Sequence, residues 1–160
     1  MTDKESVNRF RRLVQAQIGC AEKLIKALEQ ERLALLARDA QELTRVGTSK
    51  TTLLREMEQR LQAHETFLKA LRLPPGKEGS EALLKTLPKD GDEWNLWRKL
   101  QELATQCRDH NEVNGSLLAA SRARMERAFQ ILRGVPENTR TYGRGGDSQY
   151  YSDSQVLGKA

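Results

Sequence analysis

Two histidines, two cysteines and a pair of asparagines three residues apart are the residues of this chain whose side chains are best suited to chemistry. His64 and His110 are the imidazoles available, and a general base or metal ligand at neutral pH would be sought there first. The apolar pattern puts them on different helices. His64 falls beside an apolar stripe, where a helix-packing or partly exposed histidine is the ordinary reading. His110 has Asp109 and Glu112 as neighbours, at spacings that make no ligand set. Cys20 and Cys107 are far apart and lack the partner motif of a disulfide framework, a redox pair or a metal site. No phosphate-cradling Gly loop, nucleophile elbow or cofactor motif occurs. Catalysis needs polar groups converging in one pocket. These groups are scattered, so the chain reads as a binding protein with no cofactor and not as an enzyme.

The candidates for binding are of other kinds. Asn111-Glu112-Val113-Asn114-Gly115 interrupts an apolar stripe. A buried asparagine costs stability unless paired, yet can fix register and partner choice. Gly115 inside a helix costs about 1 kcal/mol relative to Ala, and close approach of another backbone would be a reason to keep it. The plain alternative is an asparagine pair on an exposed or frayed stretch. Further along, Arg122, Arg124, Arg127 and Arg133 stand against Glu126, a solvated helix face or the rim of a protein interface. Gly143-Arg144-Gly145-Gly146 is a scrap of RNA-binding composition, but the surrounding segment 135–160 balances three basic residues with three acidic ones. Such motifs depend on a basic, repeated segment.

Composition sets the frame for these residues. Of 160 residues 38% are apolar and 31% charged, with aromatics at 5%, and the mean hydropathy is -0.70. That is thin for a compact globule but enough for long helices that each bury one narrow stripe. Net charge is +5 and is spread along the chain, so no basic arm for nucleic acid is present. The longest apolar run, Leu33 to Ala37, is too short for a membrane span or signal core. A cytoplasmic location without membrane insertion is the expectation.

Three long stripes carry nearly every apolar residue. Thr2 and Glu5 fit a capping box, after which Val7, Phe10, Val14, Ile18, Ala21, Leu24, Leu28 and Leu35 recur at helical spacing. A helix over 2–37 would be ~54 Å long. Asp39 restarts the signal for a second helix over 39–72, and the turn is short enough to make the pair antiparallel. Pro74-Pro75-Gly76 ends it. One short amphipathic helix is expected over 80–87, then a last helix over 92–133, capped by Asp92 and stopped by Gly134 and Pro136. The fold class is all-α: an elongated antiparallel bundle of three long helices, residues 1–136, with a disordered tail over 137–160. At ~63 Å the last helix would exceed the others by roughly two turns. Those turns carry Met125, Phe129, Ile131 and Leu132, apolar side chains without an internal partner, as at an interaction site. Staggered ends covered by Leu83-Leu84 are the alternative.

Asn111-x-x-Asn114-Gly115-x-Leu117-Leu118, the amphipathic run to Leu132 and Thr141-Tyr142-Gly143-x-x-Gly146 together resemble the FlgN family. These are bacterial flagellar export chaperones for the two hook–filament junction proteins. Two long helices with an Asp-centred turn, and Lys50-x-x-Leu53-Leu54 in the second, are similar too. The resemblance implies an ATP-independent holdase that binds the C-terminal helical region of its clients through the C-terminal part of the chain. That assigns client contact to Asn111, Asn114, Leu117, Leu118, Met125, Phe129, Ile131 and Leu132. It also implies that Tyr142 and Gly143 dock on the membrane protein of the flagellar type III export gate. Asp147-Ser148-Gln149 departs from the family's usual Gln-Thr-Ser at this point. A structural coiled-coil or adaptor protein, self-associating through the same stripes, is the competing reading.

Overall fold

The computed structural model of the chain describes residues 3–134. Four helices follow in order: α1 (Lys4–Ala37), α2 (Ala40–Ala70), α3 (Gly76–Leu84) and α4 (Asp92–Leu132). Three are long and one is short, and there is no strand among the described residues. The chain divides into two units after Leu118, so the last part of α4, from Ala119, belongs to the second.

Helix ends show which local signals operate. Asp3 is the N-cap of α1, its carboxylate accepting from the Ser6 amide at 2.6 Å; the cap expected at Thr2, with Glu5 as its box partner, is thus taken by Asp3 one residue on. An ionised side chain at this place also meets the positive end of the helix dipole. Asp39 caps α2 in the same way, accepting from Glu42 N–H at 3.0 Å. Between them Arg38 takes a left-handed φ of 55°, and the Asp39 amide reaches back to the Ala34 carbonyl at 3.0 Å, a bond pattern that closes a helix end tightly. Asp92 is the first residue of α4 rather than its cap. The short helix starts at Gly76, four residues before the expected position. Gly76 has φ +71°, and its N–H donates to the Glu65 carboxylate at 2.8 Å, which serves an amide that Pro75 cannot cap with a side chain.

In the first unit α1 is the common partner. Gln17 meets His64 and Glu31 meets Lys50, so α2 runs antiparallel to it. Arg11 meets Glu93, and the Leu28 carbonyl meets Asn114, so α4 runs parallel to α1. The core gathers at the early part of α1. Phe10, fully buried, has ring centroids of His64, Trp97 and Phe67 at 5.6, 6.2 and 6.4 Å, distances at which aromatic pairs attract. Burying a side chain of this size contributes about 1.5–3 kcal/mol. Leu83 and Leu84 of α3 are buried in this cluster, and the Trp94 indole N–H donates to the Leu84 carbonyl at 3.0 Å. No described helix is long and apolar enough to cross a membrane.

Candidate functional site

Two polar chains cross the interior of the first unit. In one, the Asn114 carboxamide, 2% exposed, donates to the Leu28 carbonyl at 2.8 Å and to Glu31 Oε1 at 2.9 Å. Glu31 Oε2 in turn accepts from Lys50 Nζ at 2.9 Å. Residues of α4, α1 and α2 are thereby joined through one carboxylate. Both partners of Asn114 are acceptors, which fixes its NH₂ toward α1. In the other, Gln17 Nε2 lies 2.8 Å from His64 Nδ1, and Ser80 Oγ lies 3.1 Å from His64 Nε2. Ser80 Oγ–H donates to the Gly76 carbonyl at 3.1 Å, so His64 donates to Ser80 from Nε2 and accepts from Gln17 at Nδ1. That is the neutral imidazole, and burial lowers the His64 pKa accordingly, with Glu65 opposing.

The Ser80–His64 contact invites a nucleophile–base reading, which its chemistry does not support. A base must accept the hydroxyl proton, whereas here the histidine proton already faces the serine. Ser80 borders the groove lined by His64 and Trp97 but is itself 1% exposed, and its hydroxyl proton is held by the Gly76 carbonyl. Both thiols, Cys20 and Cys107, have pKa values raised, with burial the largest cause, which makes them poor nucleophiles. Among the described residues no group of three or more His, Cys, Asp or Glu side chains could hold a metal ion. An open groove of about 380 Å³ is lined by Ala21 and Leu24 of α1, Leu61 and His64 of α2, and Trp97 and Leu100 of α4. Its lining is mostly apolar, and its histidine is committed to Gln17 and Ser80.

The residues expected to contact a partner fall into three groups. Asn114 is interior, its two N–H bonds directed into α1; placing it on a client surface is corrected by this geometry. Gly115 has nothing within 4 Å of where a Cβ would stand, so close backbone approach is not its reason. Asn111 is exposed and Leu117 half-buried, while Leu118 is exposed on the last turn of the first unit. In the second unit Met125, Phe129, Ile131 and Leu132 are 59, 51, 67 and 81% exposed. Met125, Phe129 and Leu132, spaced by four and three, share one helix face. Ile131 lies about a third of a turn away from it at 100° per residue. Tyr142 and Gly143 lie outside the described residues, as does the segment 137–160.

The Gln17–His64–Ser80 chain and the Glu31–Lys50 junction are not evident from apolar spacing. A signal was present: Phe10, Val14, Gln17, Ala21, Leu24, Leu28 and Glu31 alternate by four and three, so Gln17 and Glu31 occupy seam positions.

Comparison with known proteins places this arrangement. A family model described as FlgN protein matches residues 1–149. A solved structure of a flagella synthesis protein FlgN from Pseudomonas aeruginosa superposes with a TM-score of 0.63 at 22% identity, covering 74% of this chain and 90% of that one. That likeness speaks for the fold. No curated protein matches the chain.

Proposed function

We propose, from the premise that this chain belongs to the FlgN family, that it is an export chaperone for flagellar hook–filament junction proteins. Membership itself supports a role in flagellar assembly; the finer reading is built on the surface of α4. The chaperone binds the C-terminal helical region of a junction protein without using ATP. It keeps that region from associating prematurely in the cytoplasm, and it delivers the client to the flagellar type III export gate. Docking at the gate is assigned to Tyr142 and Gly143 through the Tyr-Gly motif that resembles the family's.

The observation that carries this reading is the exposed face of Met125, Phe129 and Leu132. Large apolar side chains on one helical face, left to water, gain by receiving another amphipathic helix. An exposed helix offers its face at no cost in core packing, which suits a complex that must later come apart. Burying ~800 Å² on each partner is enough for a specific complex. A client helix that would otherwise self-associate is a fitting occupant.

Calorimetric titration of the full chain with the C-terminal region of a junction protein tests this. The expected result is a 1:1 complex of micromolar or tighter affinity. Phe129→Ala is expected to weaken it by at least about 30-fold, the effect of losing an anchor worth 2 kcal/mol. Absence of heat and of a complex, together with a stable homo-oligomer in sedimentation, would sink the chaperone reading and favour a self-associating adaptor.

A further inference from the structure

The charges around the exposed face of α4 are one-sided. Between Ala119 and Gly134 stand Arg122, Arg124, Arg127 and Arg133 with one acidic residue, Glu126, and all five are exposed. Arg122 precedes Phe129 by seven residues and Arg133 follows it by four, spacings that put both on the Phe129 edge of the apolar face, with Glu126, four residues after Arg122, at the outer side of that edge. Arg124, seven residues before Ile131 and four before Ala128, borders the opposite edge. Arg127 lies toward the back.

Ordinary roles for these arginines do not account for the pattern. Favourable interaction with the helix dipole is confined to the last turn, whereas Arg122 and Arg124 lie two turns or more from the end. Solubility is served by interspersed signs, as elsewhere in this chain, where Arg45 pairs with Glu42 and Arg60 with Glu56. Here Glu126 stands four residues after Arg122, again at i,i+4 spacing, but it is one acidic residue among four arginines, which leaves a surplus of three basic side chains. A second copy of the same face would bring like charges together, which is unfavourable.

We infer that the partner helix received by Met125, Phe129 and Leu132 is acidic along its flanks, carrying Asp or Glu opposite Arg122 and Arg133. This rests on the proposed function only in taking that face as the place where a partner helix docks; it adds the chemistry by which the partner is recognised. Apolar contact supplies affinity, and the arginines supply capture rate and discrimination. Arg is suited to this because its planar fork can bind a carboxylate through two parallel bonds. Basic and neutral amphipathic helices are then rejected or held weakly, although they offer the same apolar stripe.

The test uses the full chain and three synthetic amphipathic helices with identical leucine stripes and Glu, Gln or Lys at the flanking positions. Fluorescence anisotropy is read at about 50 mM and about 500 mM salt, where the screening length falls from roughly 14 to 4 Å. The Glu-flanked peptide is expected to bind at least ten-fold tighter than the Lys-flanked one at low salt, and the difference should collapse at high salt. Arg122→Glu with Arg133→Glu should reverse the order; both sites are exposed, so the fold is retained. Equal affinities, a preference for the Lys-flanked peptide, a preference that survives the double charge reversal, or no binding by any peptide at about 1 mM would each overturn the inference. So would RNA binding that competes with the Glu-flanked peptide, or dimers of the chain that exclude it. If the Glu preference holds while no junction-protein region binds, this inference stands and the client assignment falls.

Discussion

The NH₂ of Asn114 uses both of its donors on α1, one on a main-chain carbonyl and one on the carboxylate that also holds Lys50. Truncation would leave the Leu28 carbonyl short of one partner and Glu31 short of another, inside the protein. Asn114→Ala is therefore expected to cost about 1–3 kcal/mol, read from the urea midpoint, and to leave junction-protein affinity unchanged where the variant is folded. Unchanged stability would mean that these bonds add nothing net to the α1–α4 contact. His64 gives a prediction in pH. Its folded pKa lies below the ordinary value of about 6.5 because the ring is buried, so on acidification the unfolded chain takes up the proton first. The stability is whole above the unfolded pKa and drains away as pH falls from there through the folded value. Protonation would also set an N–H at Nδ1 against the Gln17 amide. Thermal melts at about pH 7.5 and 5.5 should show a loss of Tm that His64→Gln reduces; an equal loss in both proteins would remove His64 from the account. The sequence shows such residues as interruptions in a stripe. It does not show their partners, because helical spacing fixes which residues share a face and not which face they meet. Gln17 and Glu31 on α1, with Lys50 and His64 on α2, become legible as two pairs only once the register of α1 against α2 is known.

Among the helices, α3 was the hardest to read and is the most constrained. The Pro and Gly residues over 74–79 look like a linker, so the sequence points to a helix only from Ser80. The glycines serve different ends. Gly76 adopts φ +71° at the start of the helix, and Gly79 allows close packing: a Cβ there would stand 1.8 Å from the Pro74 carbonyl oxygen and 3.2 Å from Leu68 Cδ1. The first contact is with backbone and cannot be relieved by a rotamer change. Gly79→Ala must therefore shift α3 against the end of α2, disturbing Leu83 and Leu84 in the core. A loss of roughly 2 kcal/mol or more in chemical denaturation is expected, with altered fluorescence from Trp94, whose indole bonds the Leu84 carbonyl. Wild-type stability and spectrum in that variant would show that α3 does not rest on Pro74. The long helices were easier to read because their signals agree. Asp39 sits where a cap is needed, and the stripes persist over many turns. Their ends moved by one or two residues, at α1 because Asp3 takes the cap and at the end of α2 because the Leu71 amide closes on backbone carbonyls.

At the scale of the molecule, the residues that hold the fold and those proposed to hold a partner occupy different stretches of chain. The core cluster extends from Phe10 to Leu103, and the polar junction that includes Asn114 also precedes Leu118. Met125, Phe129 and Leu132 all follow Ala119. Apolar periodicity alone shows three equal stripes; it is the greater length of the last helix that points to an unburied end carrying Met125, Phe129, Ile131 and Leu132, and these side chains are exposed. Trp97, Leu100 and Leu103 are in the core, whereas Met125, Phe129 and Leu132 continue the helical spacing in water. The distinction depends on how many turns find a partner helix, a three-dimensional quantity. Folding and client binding should therefore be separable by truncation. A chain ending at Leu118 keeps every core residue and leaves four residues beyond Asn114, one helical turn in which to close its hydrogen bonds. It is expected to unfold cooperatively with a Tm within about 5 °C of the full chain, a change of about 1 kcal/mol at most for a domain of this size. It should also lose measurable affinity for the junction-protein region. A truncated chain that melts without cooperativity would show that the later part of α4 supports the core. One that folds and still binds its client would move the site onto the first unit, where the apolar groove bordered by Leu61 and Trp97 would be the surface to mutate next.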